Sequence, residues 1–231
     1  MKPRQTARFI FILSLSPVIP AYATESLRSE ITVRVYNFAG TPARDLACAR
    51  QAASEIFARS EIDLNWLNCT LDADGQPADP ACHTARGPAV LNLRLAPRNM
   101  EPKSGLARGI FGFSLIGEHG EFSSTASIYL QRASEIVDGR KYRLGPVLGA
   151  MIAHELGHLL LGMGSHSKVG IMSLPWGPEQ LIAADNGTLG FSGRETYLLA
   201  AAVRARRAQS VVGPDIQSLR CMAPTADSES I

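Results

Sequence analysis

The sequence is short of several things, and each shortage narrows what the chain does. It has no excess charge of one sign. Lys and Arg number 23 against 21 Asp and Glu, a formal net charge of +2, so there is no field to draw in nucleic acid or another strongly acidic partner. The one basic cluster, RARRAQ at 204–209, falls on a predicted terminal helix and reads as a solvated face. Beyond the N-terminus no segment is expected to supply the ~20 apolar residues that cross a bilayer. Cysteine is scarce, with four residues, and the spacings of Cys48, Cys69, Cys82 and Cys221 match no cysteine-based zinc motif. Internal repeats and linker-like stretches are missing too, which leaves one domain as the simplest organisation.

The first 23 residues stand apart. Lys2, Arg4 and Arg8 precede a mostly apolar run, Phe9 to Ile19, and Ala21-Tyr22-Ala23 offers small residues for cleavage. This is the layout of a secretory signal peptide. The run is shorter than a bilayer span, and Pro17 and Pro20 interrupt it. The expected organisation is a leader at 1–23, a folded domain at 24–212 and a tail at 213–231. The mature chain is then secreted or periplasmic and free of the membrane. An even cysteine count in an exported chain points to two disulfides. Cys69 and Cys82 bracket the polar loop TLDADGQPADPA, so local closure pairs them and leaves Cys48 with Cys221 to hold the tail. Asp72-Ala73-Asp74-Gly75 within that loop looks faintly like a calcium loop. Its twelfth position is His83 rather than glutamate, so a polar turn is expected.

Periodicity supplies the elements. Ile31, Val33, Val35 and Phe38 are the apolar members of an alternating first strand over 31–40. Thr41 is a candidate N-cap, with Pro42 at the first helical position. Leu46, Ala49, Ala53, Ile56 and Phe57 recur at helical spacing after it. Strands are expected at 62–69, 89–97, 109–117 and 124–132, the last two joined by a polar loop that holds His119. An irregular stretch leads to Gly145-Pro146, and a largely apolar, buried helix runs from Val147 to Leu161. A final helix is expected over 193–209, capped by Ser192.

The chemistry lies in HELGHLLLGMGSHSKVGIM, His154 to Met172. His154 and His158 are four apart on the apolar helix, so they share one face and can converge on a single zinc ion. Glu155 lies about 100° round the helix, off the histidine stripe. That offset suits a general base that takes a proton from water more than a ligand. The third ligand stays open at this point: His166 in the following loop, or a later glutamate, Glu179 or Glu195. Glu195 falls in the first turn of the last helix, where its charge also suits the helix dipole.

His154, Glu155, His158, a glycine, His166 and Met172 together resemble the metzincin clan of zinc metalloproteases, whose motif is H-E-x-x-H-x-x-G-x-x-H followed by a methionine turn. The order strand, helix, four strands, helix, loop, helix is similar to the clan's matrixin-like order. The resemblance implies an α+β, zincin-like fold: a twisted five-stranded mixed sheet with an antiparallel edge strand, an active-site helix and a C-terminal helix. It implies Zn2+ as cofactor, His154, His158 and His166 as ligands, Glu155 as general base and Met172 beneath the metal. The edge strand near 109–117 would then bind an extended peptide or protein substrate. Two residues are extra: Gly162 follows His158 by four and His166 follows Gly162 by four, where the clan has three and three. Gly162 and Gly164 flank Met163, and their access to positive φ can turn the loop back despite the longer path. Some metzincins add a tyrosine ligand two residues after the methionine. Leu174 stands there, which leaves three histidines and water. Trp176 is a candidate pocket wall or a core residue.

The expected activity is that of a monomeric, exported zinc metalloendopeptidase. A zinc hydrolase acting on a non-peptide substrate and a non-catalytic zinc-binding module are the alternatives. Glu155 argues against the module, because a structural zinc site has no need of that carboxylate.

Overall fold

The computed structural model describes residues 28–103, 110–115, 124–137, 142–162 and 164–211. The expected leader, the tail with Cys221, and His119 lie outside these residues.

Strand β1 (Ser29–Asn37) buries Ile31, Val33 and Val35 completely. Thr32, Arg34 and Tyr36 point to the other face, as a two-residue period requires. Thr41 is not the cap of the helix that follows. Pro42 holds that position with no side-chain cap. Asn37 closes the turn instead: its Oδ1 accepts from Thr41 N–H at 2.8 Å and its Nδ2 donates to the Thr41 carbonyl at 3.0 Å. Thr41 is thereby drawn inward and buried. Helix α1 (Ala43–Ala58) buries Leu46, Ala49, Ala53, Ile56 and Phe57, the stripe that the periodicity marks.

Strand β2 (Ile62–Asn68) pairs parallel with β1. A Cys69–Cys82 disulfide, with Cα atoms 5.6 Å apart, closes the loop after it. Inside that loop Asp72 Oδ1 accepts from Asp74 and Gln76 N–H, each at 2.9 Å. This is a polar turn that uses the aspartate on its own backbone. Strands β3 (Val90–Ala96), β4 (Gly112–Leu115) and β5 (Thr125–Tyr129) complete a five-stranded sheet of order β2-β1-β3-β5-β4. All pairs are parallel except β4 with β5, so the edge strand β4 is antiparallel.

Helix α2 (Leu130–Val137) follows β5 without a break, which corrects the expectation of strand through Arg132. Leu130, Gln131 and Arg132 are good helix formers, and Ala133 and Val137, four apart, bury against the core. Helix α3 (Leu144–Leu161) begins before Val147 and takes Gly145 and Pro146 into its first turn. A proline is tolerated there because those N–H groups have no partner inside the helix. By length and composition α3 could cross a membrane, contrary to the expectation of no such segment. It is instead the core helix, buried from Val147 to Gly157 without interruption. Glycine brings it close to α1: a Cβ on Gly149 would lie 2.5 Å from the Ala49 carbonyl oxygen, and one on Gly145 2.6 Å from Cys48 Cβ. Cys48 itself is exposed and bears no disulfide to another described residue; Cys221, its expected partner, lies outside them.

Helix α4 (Pro178–Asp185) was not expected. It buries only Leu181 and Ala184, too few positions to register as a period. Helix α5 (Gly193–Val211) packs on α3. Ser192 caps it, as expected, and Glu195 answers. Ser192 Oγ accepts from Glu195 N–H at 3.3 Å, and Glu195 Oε2 accepts from Ser192 N–H at 2.7 Å. This is a reciprocal capping box. The basic cluster is not uniformly solvated. Arg204 and Arg207 are exposed, but Arg206 is buried and donates to the Pro88 carbonyl at 2.8 Å and to the Leu159 carbonyl near the end of α3.

Candidate metal centre

His154 and His158 stand one turn apart on α3, and their Nε2 atoms are 3.0 Å apart. His166 brings its Nε2 to 3.1 Å from that of His158. The three ligand atoms all lie within 4.8 Å of one another. The longer loop returns by two devices. Gly162 ends α3 at φ 84°, ψ −171°, and Gly164 has φ 72°. The first of these is open essentially to glycine alone. Ser165 then places its hydroxyl 2.7 Å from His158 Nδ1, which fastens the loop to the helix one residue before His166. Further on, Ser167 N–H donates to the Met172 carbonyl at 3.0 Å and closes the turn.

The carbonyl of Ile171 orients the buried His154 ring. It accepts from His154 Nδ1 at 2.7 Å and from Trp176 Nε1 at 3.2 Å. A carbonyl only accepts, so the His154 proton sits on Nδ1 and its Nε2 presents a lone pair to the cluster. Trp176 also packs edge-on against the His154 ring, with centroids 5.9 Å apart, and against Phe111 at 5.1 Å. It holds the ring rather than lining the cleft. Met172 is fully buried, and its Sδ lies 2.8 Å from where a Cβ on Gly157 would be. The thioether therefore fills the glycine notch beside His158.

Burial pushes the His154 imidazole down to about 4, against a smaller upward pull from the Ile171 carbonyl. Burial and the two neighbouring rings take His158 to about 3. At neutral pH these two rings are uncharged. The residues fit a divalent cation: His154 aims a lone pair at the cluster, and the single Nε2 of His158 faces two neighbours. The separations let all three reach one ion at the roughly 2.0–2.1 Å of a zinc–imidazole bond.

Glu155 is buried. Its Oε2 accepts from Ser114 Oγ at 2.8 Å, and that hydroxyl is also 2.9 Å from the Glu155 carbonyl oxygen. Burial raises the carboxyl to about 7, partly offset by the Ser114 bond. A cleft of about 330 Å3 opens beside it. His154, Glu155, His158 and His166 line it together with apolar residues that include Phe111, Phe113 and Leu174.

The remaining candidates lie elsewhere. Glu195 is engaged in the α5 cap, and Glu179 is exposed in the first turn of α4. Neither joins the histidines. His83 ends an exposed 3-10 turn. Ser114, Ser165 and the Ile171 carbonyl were not anticipated. A signal existed for Ser114. Strand alternation puts Gly112 and Ser114 on one face of the edge strand, and that face meets α3.

No family model matches the chain, and no curated protein matches it. Among solved structures the chain is similar to a zinc-dependent peptidase from Methanocorpusculum labreanum (strain Z), at TM-score 0.45 and 17% identity, covering 72% of this chain and 99% of that chain. It is also similar to archaemetzincin from Methanopyrus kandleri, at TM-score 0.41 and 20% identity, covering 76% of this chain and 96% of that chain.

Proposed function

We propose that the chain is an exported, monomeric zinc metallopeptidase of metzincin type. The observation that carries this reading is the convergence of the His154, His158 and His166 Nε2 atoms beside the buried carboxylate of Glu155. Bound zinc supplies Lewis acidity toward water and a substrate carbonyl. The chain supplies the rest. His154, held by Ile171, and His158, held by Ser165, keep their Nε2 atoms turned to the cation. Hydrogen bonds to the far nitrogen of a ligand imidazole fix its orientation in this way. Glu155 takes a proton from the attacking water and returns it to the leaving amine.

Among the described residues strand β4 pairs only with β5. Its outer edge is suited to add an extended peptide as a further strand, with side chains in the apolar part of the cleft. Export is supported by the Lys2 to Ala23 layout and by the Cys69–Cys82 disulfide. One chain supplies all three histidines, so the site needs no second copy to be complete.

Metal analysis and a diverse peptide library, read with and without chelator, test the proposal. One zinc per chain, lost in His166→Ala, and cleavage abolished by chelator are expected. A wild type that holds no zinc, or a zinc-loaded protein that cleaves no peptide, ends the peptidase reading.

A further inference from the structure

The edge strand does more than border the cleft: it holds one oxygen of the Glu155 carboxylate and makes room for the other. Ser114 Oγ lies 2.8 Å from Oε2. Two residues earlier on the same face, a Cβ on Gly112 would lie 3.0 Å from Oε1 and 3.1 Å from Cδ. The strand therefore presents a hydroxyl to one carboxylate oxygen and leaves a gap for the other. Any side chain at Gly112 would push on Oε1, and it would also come within 2.5 Å of the Ser127 carbonyl oxygen across the ladder.

We infer that Ser114 is a positioning residue that anchors Glu155 through Oε2, and that Oε1, over Gly112, is the oxygen that moves the proton. This rests on the proposed peptidase reading and adds the division of labour between the two oxygens. The physical reason is entropic and geometric. A glutamate has three side-chain torsions, and Ser114 is the one hydrogen-bond partner of this carboxylate among the described residues. A hydrogen bond to a charged acceptor is roughly twice as strong as a neutral one. Without it the carboxylate samples rotamers that leave Oε1 out of reach of the water, and productive geometry is held to within a fraction of an ångström.

The test is a double-mutant cycle on the zinc-loaded protein, with Ser114→Ala, Glu155→Gln and the pair. Two readouts are used: turnover of a peptide identified from the library, and affinity for acetohydroxamate, a zinc-binding group that also hydrogen-bonds an adjacent carboxylate. Ser114→Ala is expected to keep full zinc and an unchanged melting temperature. It should lower kcat roughly tenfold with KM little changed, and weaken acetohydroxamate by about threefold or more. In the Glu155→Gln background the same change should weaken acetohydroxamate no further, because Ser114 acts through the charged carboxylate. Ser114→Thr, which keeps the hydroxyl, should restore both values. If Ser114→Ala lowers the melting temperature, Ser114→Cys repeats the measurement with the volume kept and the donor weakened. The inference is overturned if Ser114→Ala turns over and binds as wild type does, or if it loses the same factor with and without Glu155. Those outcomes leave the peptidase reading standing so long as Glu155→Gln itself is inactive. Should Glu155→Gln cleave as well as wild type, the reading fails first.

Discussion

The two ends of the histidine cluster are built on different principles. His154 is buried in the middle of α3, bonded to a backbone carbonyl and flanked by Trp176 and Phe111. His166 is exposed, in a loop shaped by two glycines at positive φ. The first histidine is part of the core, and its position follows from helix periodicity and packing. The second is placed by local backbone choices and one hydroxyl contact. A ligand in the core shares the stability of the whole domain. A ligand in a loop is tied down only by its own few contacts. If this contrast is right, the same substitution at the two ends has different consequences for the fold and the same consequence for the metal.

The largest effect tests that contrast. His154→Ala and His166→Ala should both abolish tight zinc binding. In chelator-treated protein, His154→Ala should also cost on the order of 2 kcal/mol of stability, because it opens a cavity beside Trp176. His166→Ala, at an exposed position, should stay within about 0.5 kcal/mol. Urea unfolding of the metal-free proteins measures both, and equal losses would erase the distinction between core and loop ligand.

Acid and alkali sharpen it next. In the metal-free protein His154 and His158 are held at about 4 and about 3 by burial, below the ~6.5 of an unfolded histidine. The unfolded chain then takes up protons that the folded chain refuses, so stability is lost as pH falls below about 6.5 and through these values. Glu155 works in the opposite sense. Its folded value of about 7 lies above the roughly 4.3 of an unfolded glutamate. Its contribution is complete below that value and is lost as pH rises through about 7. Metal-free Glu155→Gln should accordingly melt higher than wild type at pH 8 and show no such gain at pH 4. A gain that does not depend on pH would mean that Glu155 is ionised in the fold at no cost.

Ser165→Ala has a smaller effect and bears on the loop alone. It removes the contact to His158 Nδ1, the link between helix and loop. Partners of ligand imidazoles are worth about 10–100-fold in metal affinity, so zinc competition should show a loss in that range with the melting temperature of the metal-free form unchanged. No change in affinity would mean that the two glycines alone place His166.

The same contrast governs what can be read in the sequence. The strands around Val33, Leu64 and Leu93 and the stripe of α1 are legible because a period of two or of 3.6 repeats over several residues. His154 and His158 are legible for the same reason. Helix α4 is not, since Leu181 and Ala184 give its period a single interval. Arg206 looks like part of a charged face until the carbonyls of Leu159 and Pro88, distant in sequence, receive it. Ser114 meets Glu155 across 41 positions of sequence: alternation marks the strand face it shares with Gly112, but no local pattern says which helix that face meets. The loop to His166 lies between these cases. Its glycines announce a reversal, and the direction depends on contacts made by Ser165 and Ile171.

The smallest effect concerns the glutamate that rivals His166 on paper. Glu195 completes a capping box in which its carboxylate takes the Ser192 N–H and the Ser192 hydroxyl takes its own. The pair satisfies two N–H groups at the start of α5, which packs on α3. Its carboxylate is thus directed at the helix end and not at the three imidazoles. Glu195→Ala should lower stability by about 1 kcal/mol, the usual scale for a lost cap, with zinc content after dialysis equal to that of wild type. Glu195→Gln keeps an acceptor for the Ser192 N–H and should recover most of the loss. The two readouts separate the roles cleanly: a cap is seen in the unfolding midpoint alone, whereas a ligand is seen first in the metal. Zinc lost from Glu195→Ala at an unchanged midpoint would place a carboxylate in the coordination sphere and put His166, the loop and its two glycines outside it.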